Sequence, residues 1–369
     1  ICYITFMIKV GNNLSAIKKI FKNFKAAKLN FEIKAENNVF LPEYKGSTFR
    51  GVFGHIFKDV MCISHADECS GCSFDQICMF KKIFDSPPPI NSQKLRNYSA
   101  IPHPYVIEPP LDQKNFYKKD EIIKFSLILI GQAISLLPYF VYSFGLAGKK
   151  GIGRQKKGKF IITKIKNDKD GKILYYYKDD ELKSINDSYS IEDFIPENND
   201  NNSKNFSVNL QFITPTRIIF NEKLVSELEF HIFVRNTLRR ISNLNFFHCL
   251  NRHDNYTSKS AASSNAPSNN EPLDNETSND DSPLDLELDF NSYIEKSLPI
   301  ISKKSLKWYS FDRYSNRQKT HMKLSGFIGD LSFEKVPLEY LWIIKLGELI
   351  HIGKNTTFGH GKYKIQSII

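Results

Sequence analysis

The fold is decided by residues 347–361, which read Gly-Glu-Leu-Ile-His-Ile-Gly-Lys-Asn-Thr-Thr-Phe-Gly-His-Gly. A helical apolar pattern over 338–350 leads into this stretch, and a closing strand over 363–369 follows it. The stretch differs from a nucleotide-binding phosphate loop, because five residues rather than four separate Gly347 from Gly353 and because such a loop runs from a strand into a helix. The sequence therefore disfavours nucleoside triphosphate hydrolysis.

The elements before this stretch complete a β-α-β-β-α-β order in the second half, and the first half shows the same order. In the second half the pattern predicts strands over 206–213, 308–314 and 322–333 and a helix over 224–247. In the first half it predicts strands over 29–35, near Tyr105, over 122–130 and over 160–165, a helix over 133–145, and a glycine/lysine turn over 148–158. The remaining helix is marked by one apolar stripe, formed by Phe49, Val52, Phe53, Ile56, Phe57 and Val60.

This order predicts an α+β protein of two tandem ferredoxin-like domains. The first domain covers 1–170 and carries a cysteine-bearing loop insertion, and a hairpin and linker cover 171–205. The second domain covers 206–369. Its residues 251–289 are rich in Asn, Ser, Asp and Pro, and this composition predicts a disordered insertion.

The charge is strongly uneven along the chain. Residues 254–289 contain nine acidic residues and one lysine, so this segment carries a net charge of −8. Because the whole chain carries +11, the remainder carries +19. A body that basic indicates a polyanionic partner, with nucleic acid first and an anionic membrane surface second.

A membrane span and a signal peptide are both disfavoured. Residues 125–147 contain no charged residue and could span a bilayer by length, but Gly131, Gln132, Ser135 and Pro138 break the run into a strand and a helix. The start of the chain shows no small-residue cleavage site. We expect a cytoplasmic protein with no membrane partner.

The glycine-rich turns predict close contact with a sugar-phosphate chain. Glycines remove Cβ atoms and expose amide groups, and neighbouring cations and hydroxyls add donors. A plain turn that needs positive φ is the alternative. The predicted RNA-binding residues of the two turns are Gly353, Lys354, Thr356, Thr357, Gly359 and Gly361 in the second half and Gly151, Gly153, Arg154, Lys156 and Lys157 in the first.

Several segments resemble the CRISPR-associated endoribonucleases that process precursor guide RNA, a branch of the repeat-associated mysterious protein superfamily. The resemblance covers about four-fifths of the chain and is most specific in the glycine-rich block. It rests on Arg313-Tyr-Ser, Arg317-Gln, Gly326-Phe-Ile-Gly329, the block 346–363, the segment 41–51, the cysteine cluster, Pro102-His-Pro-Tyr105 and Gly151-Ile-Gly-Arg154.

This resemblance implies binding of CRISPR repeat RNA and cleavage of the precursor without a metal or other catalytic cofactor. The ribose 2′-hydroxyl attacks the adjacent phosphate and leaves a 2′,3′-cyclic phosphate and a 5′-hydroxyl. Arg50, Arg313 and Arg317 are further predicted RNA-binding residues. CRISPR effector-complex subunits are further expected partners.

Such a reaction needs a base near the 2′-hydroxyl and an acid near the leaving oxygen, and histidine suits both roles. His55 lies opposite the apolar stripe of its helix, beside Lys58, and Tyr44 precedes the same helix. Similar enzymes draw a catalytic histidine, often with a tyrosine, from this region, so His55 and Tyr44 are predicted to be catalytic. An ordinary exposed helix face is the alternative for His55. His351, beside the glycine turn, is the rival catalytic histidine.

Four cysteines lie within 17 residues in a C-x6-C-x2-C-x5-C pattern. In a cytosolic protein this spacing favours a structural metal site, either zinc or an iron–sulfur cluster, over disulfides. Unliganded thiols are the alternative. The predicted ligands are Cys62, Cys69, Cys72 and Cys78.

Two other functions remain open from the sequence. A non-catalytic RNA-binding subunit of a CRISPR effector complex would share the fold but not cleave. A membrane-surface protein would depend on the apolar run 125–147.

Overall fold

A computed structural model provides the three-dimensional structure of the chain. It describes residues 8–10, 13–65, 69, 71–75, 77–85, 87–88, 100–196, 205–250, 286–315 and 320–369.

The elements of the first half are β1 Ile8–Val10, α1 Leu14–Ile20, β2 Lys25–Ala35, β3 Val39–Phe40, α2 Gly46–Met61, β4 Tyr105–Glu108, β5 Phe116–Tyr117, β6 Ile122–Ile130, α3 Leu137–Lys150, β7 Phe160–Asn167, β8 Ile173–Tyr176, β9 Glu181–Leu182 and β10 Tyr189–Ser190. The main sheet has the strand order β4-β6-β2-β7-β8-β9, and β10 pairs with the start of β2. Within this sheet, β2, β4, β6 and β7 take the 2-3-1-4 arrangement of a ferredoxin-like motif.

The apolar stripe of α2 forms the core of this half, as its spacing predicts. The ring of Phe53 lies 4.9 Å from the rings of both Phe57 and Phe140 and 5.2 Å from that of Phe144, so α2 and α3 pack together over one face of the sheet. Burial of such rings is worth about 3–5 kcal/mol each when measured by truncation to alanine.

The elements of the second half are β11 Asn205–Thr216, β12 Ile219–Phe220, β13 Lys223–Leu224, α4 Phe230–Leu244, β14 Leu286–Leu288, α5 Phe290–Ser297, β15 Ile301–Ser315, β16 Thr320–Pro337, α6 Leu341–Ile350 and β17 Tyr363–Ile368. Four of these strands form a sheet in the order β15-β16-β11-β17, which is the same 2-3-1-4 arrangement. The prediction of two tandem ferredoxin-like folds is therefore confirmed.

Several boundaries differ from the sequence-based expectation. The helix expected over 224–247 begins only at Phe230, because the short hairpin β12–β13 precedes it. The hairpin β15–β16 is longer than the apolar alternation indicated, since polar residues continue both strands. Residues 286–289, expected to be disordered, form β14 and the helix cap Asp289. The other residues of that expected insertion lie outside the described residues.

The apolar run 125–147 contributes the end of β6, a 3-10 turn over Gly131–Leu136 and most of α3. None of the helices that the structure describes is long and apolar enough to cross a membrane.

The hydrophobic core of the second half is shared with residues of the first half. Phe21, after α1, places its ring 5.5 Å from that of Trp342 on α6, and Val106 and Ile130 of the first sheet belong to the same buried cluster. This shared core fixes the position of the glycine-rich block against the first half.

Candidate functional site

The glycine-rich block is buried between the two halves of the protein. Its centre, Thr356–Phe358, packs beside β4 and the start of α2, and the Tyr44 hydroxyl donates a 2.8 Å hydrogen bond to the Phe358 carbonyl. Gly359 has φ +82°, and a Cβ atom there would overlap Pro109 and lie 2.8 Å from the Ile107 carbonyl oxygen. The close approach that these glycines permit is therefore an approach to the protein's own backbone.

The other residues of the block are held in the same way. The Gly353 amide donates to Asn236 Oδ1 at 2.9 Å, and the Lys354 amide donates to the Arg217 carbonyl at 2.8 Å. Gly361 has φ +73°, and a Cβ atom there would overlap the Ile352 carbonyl. Thr356 and Thr357 are buried, whereas the Lys354 side chain is exposed. The predicted phosphate cradle at Gly353, Gly359 and Gly361 gains no support from this geometry, because protein atoms occupy the space beside each glycine.

A buried cluster of charges connects the block to the first sheet. The carboxylate of Glu108 on β4 lies 2.9 Å from His351 Nε2, 2.9 Å from Lys362 Nζ and 3.2 Å from Lys28 Nζ. Burial raises the pKa of Glu108, but the His351 hydrogen bond and the two lysine charges outweigh it, so the pKa lies well below its usual range. Glu108 is therefore an anion that holds both halves together.

His351 is a member of this cluster and is fully buried. Its Nδ1 lies 2.9 Å from the His360 carbonyl, so both ring nitrogens have protein partners. Burial lowers the pKa of His351, and the Glu108 carboxylate opposes that effect. The prediction that His351 is catalytic gains no support here, because the imidazole is out of reach of a bound RNA.

Tyr44 and Arg50 also lie at the junction. The Tyr44 ring is 4.7 Å from that of Phe311 on β15, and burial raises the pKa of its hydroxyl. The Arg50 guanidinium lies 4.0 Å from the Phe84 ring centre and 4.8 Å from that of Phe358. Both side chains therefore connect α2 to its surroundings, and these contacts gave no sequence signal because they join distant segments.

Two histidines that the sequence did not single out as catalytic lie nearby. Burial lowers the pKa of His103 to about 3 and that of His248 to about 4. His248 Nε2 donates to the Pro102 carbonyl at 2.7 Å. Arg240 donates to the Ile350 carbonyl at 3.2 and 3.1 Å. Both imidazoles are neutral at physiological pH and contribute to packing at the junction.

The first glycine/lysine turn, in contrast, exposes its cations. Arg154, Lys156 and Lys157 are exposed, and no ion pair involves them within the described part of the chain. Asn37 holds the end of this turn, since it accepts from the Lys159 amide at 2.8 Å and donates to the Lys157 carbonyl at 2.9 Å. The turn is therefore an exposed surface of positive charge.

Gly151 and Gly153 make this turn possible. Their φ values are +94° and +75°, and a Cβ atom on either would overlap a backbone carbonyl, of Lys156 and of Phe40 respectively. These glycines shape the turn, and the neighbouring cations face solvent.

His55 is the one predicted catalytic side chain that is exposed. It projects from α2, on the side away from the core. Arg313 lies on β15, and Arg317 falls outside the described residues.

The four cysteines line a single cavity together with Ser64, Asp75 and Lys81. None of the four forms a disulfide within the described part of the chain. With the side chains in their present rotamers, no three His, Cys, Asp or Glu residues of the described ranges are arranged to hold a metal ion.

Two family models match successive parts of the chain. Residues 210–363 match the family described as CRISPR-associated endoribonuclease Cas6, and this range includes the glycine-rich block. Residues 24–187 match a family described as an N-terminal domain.

An uncharacterized protein of Archaeoglobus fulgidus is 24% identical over 152 residues, which are 41% of this chain and 49% of that protein. The chain thus spans about half the length of the curated relative it matches.

Solved structures show the same fold at low identity. A Cas6 product complex from Thermus thermophilus is 11% identical, with a TM-score of 0.51, over 92% of this chain and 99% of that chain. A chain of a partial Cas6-RT-Cas1–Cas2 complex is also 11% identical, with a TM-score of 0.51, over 94% of this chain and 47% of that chain.

Proposed function

We propose, on the premise that residues 210–363 carry a CRISPR-associated endoribonuclease Cas6 domain, that this chain binds CRISPR repeat RNA and cleaves the precursor transcript. The observation that carries the proposal is the family match, which includes the whole glycine-rich block. The paired ferredoxin-like sheets and the exposed cationic turn support it, because they offer a basic surface to a polyanion.

The proposed reaction is metal-independent transesterification. The 2′-oxygen forms a bond to phosphorus, the bond from phosphorus to the 5′-oxygen breaks, and the products are a 2′,3′-cyclic phosphate and a 5′-hydroxyl. A base takes the proton from the 2′-hydroxyl, and an acid supplies one to the 5′-oxygen. His55 is proposed as one of these two groups because it is exposed, whereas His351 is buried and the half-buried Tyr44 has its hydroxyl bonded to the Phe358 carbonyl.

Tyr44 is proposed as a positioning residue. Its hydrogen bond to Phe358 and its ring contact with Phe311 fix the segment that leads into α2, the helix that presents His55. The RNA backbone is proposed to lie along the cationic turn of the first half, with Lys354 as a further contact. The residues proposed to bind phosphates there are Arg154, Lys156 and Lys157.

The test uses a labelled repeat RNA in single-turnover assays with EDTA. Wild-type protein is expected to release a fragment with a cyclic phosphate, and a 2′-deoxy nucleotide at the cut site is expected to block cleavage. The His55→Ala substitution is expected to lower the rate about 100-fold or more at unchanged RNA affinity. The matched control is His231→Ala, since His231 also lies on a helix but pairs with Glu229.

Two results would overturn parts of the proposal. An unchanged rate for His55→Ala would remove His55 from the reaction. RNA binding by wild-type protein without any product would favour the second candidate, a non-catalytic RNA-binding subunit of a CRISPR effector complex. Association with effector-complex proteins is proposed for either function and is tested by co-purification.

A further inference from the structure

The loop after α2 brings four cysteines to one place. Cys62 ends α2, and its amide donates to the Lys58 carbonyl at 2.8 Å. Cys69 and Cys72 are separated by two residues, the second of which, Gly71, has φ +70° with open space around it. Cys78 precedes a helical turn over Lys81–Asp85. All four thiols line the same cavity, although up to 16 positions separate them in sequence.

Two of the four sulfur atoms, those of Cys62 and Cys72, lie near the spacing of a metal site. Cys62 Sγ and Cys72 Sγ lie 3.6 and 3.5 Å from the same Ser64 Oγ, so they are at most about 7 Å apart. Tetrahedral zinc with bonds of about 2.3 Å holds its sulfur ligands about 3.8 Å apart. The difference of about 3 Å is within the reach of cysteine rotamer changes, which leave the backbone in place.

The loop packs only in part against the apolar core of the first half. Cys69 and Cys78 contact that core, whereas Ile63, Phe74 and Ile77 are 58%, 40% and 59% exposed. Metal coordination is one source of stability for a surface segment that leaves large apolar side chains in solvent.

The charges around the loop are mixed. Four thiolates around Zn²⁺ carry a net charge of −2, and each coordinated thiol releases one proton. Burial raises the pKa of the Cys69 thiol, the charge of Lys58 opposes this effect, and Asp85 adds to it. Lys81 lines the same cavity but is paired with Asp75, so the site is inferred from the positions of the cysteines and not from these charges.

We propose that Cys62, Cys69, Cys72 and Cys78 bind one Zn²⁺ that closes the loop following α2. The site is structural, because four protein ligands leave no open coordination position for a substrate. It fastens the end of the helix that carries His55. The proposal is independent of the proposed nuclease activity.

The first experiment measures metal content by mass spectrometry after purification from zinc-supplemented medium without a metal-affinity column. About one zinc per chain is expected for the wild type and for Cys249→Ser, in which the same change is made at a buried cysteine outside the loop. About tenfold less is expected for the Cys69→Ser/Cys72→Ser double variant. Zinc-free wild type, iron in place of zinc, or equal zinc in the double variant overturns the proposal.

The second experiment needs no variant and therefore does not depend on whether the double variant folds. Wild-type protein is titrated with a mercurial reagent, and zinc is expected to appear in solution in step with the reaction of four thiols. Zinc release unrelated to thiol reaction overturns the assignment. The chain contains six cysteines, so fewer than six thiols after denaturation without reductant would indicate disulfides and overturn it as well.

Discussion

Replacing Gly359 with alanine tests whether the glycine-rich block serves packing or RNA contact. Gly359 lies where the block meets the end of β4 and has φ +82°. A methyl group there would overlap Pro109 and approach the Ile107 carbonyl oxygen to 2.8 Å. Because the Ile107 contact is backbone and Pro109 is a rigid ring, neither neighbour can move by a simple rotamer change.

The expected cost has two parts. A left-handed conformation costs an L-residue about 1–2 kcal/mol, and forcing an extra methyl group into a packed interface costs about 1–3 kcal/mol more. The Gly359→Ala substitution should therefore lower the free energy of unfolding by about 3 kcal/mol. Gly171 has a similar φ of +72°, but its nearest obstacle is the flexible Lys166 side chain at 3.4 Å. Gly171→Ala should cost only the backbone part, about 1 kcal/mol.

Urea unfolding of the two variants at neutral pH, followed by far-ultraviolet circular dichroism, measures this difference directly. RNA affinity is measured in parallel on folded protein. If Gly359→Ala were no less stable than Gly171→Ala yet bound RNA more weakly, the packing explanation would be refuted and direct RNA contact would stand in its place.

Two further predictions concern charge. Replacing Arg154, Lys156 and Lys157 of the exposed turn with glutamine should weaken binding of every RNA. The slope of log affinity against log salt concentration should become less steep by about 2, since each single-strand phosphate contact contributes about 0.7. Filter binding at several salt concentrations measures this slope, and the same replacement at the exposed Lys18, Lys19 and Lys22, on and after α1, should change it little. His248→Gln should reduce acid sensitivity. The folded-state pKa of His248 is lowered to about 4 from 6.5 by burial, so the unfolded chain takes up the proton first and the wild type should lose about 2 kcal/mol from this group between pH 7 and pH 5. Urea unfolding at both pH values should show that loss reduced in the variant; an equal loss would contradict the assignment.

The element order could be predicted from the sequence because it depends on local signals. The stripe around Phe53 and the apolar strand over 122–130 mark their elements without reference to distant residues. The resemblance to the CRISPR-associated endoribonucleases is confirmed by the family match over residues 210–363. The limits of β15 and β16 could not be read in this way, because strand pairing extends through polar residues.

The burial of candidate site residues could not be predicted, because it depends on how the halves meet. His351 and Tyr44 look reactive in sequence, but each is hydrogen-bonded to a residue remote in the chain, His351 to Glu108 and Tyr44 to Phe358. No local pattern distinguishes such a histidine from His55, which is exposed. The roles proposed for His55 and for the cationic turn remain predictions.

The two glycine-rich turns lie in different surroundings, although both contain three glycines and at least one lysine. In both, positive φ and close backbone approach require glycine. In the first turn the neighbouring cations project into solvent, whereas in the second Lys354 alone is exposed, and the rest of the block fills the junction beside Glu108. Because the glycine-rich block joins the two domains and sets the relative position of the two sheets, it would constrain the proposed RNA binding only indirectly. Substitutions in this block should therefore alter stability first, and RNA affinity only as far as the junction shifts.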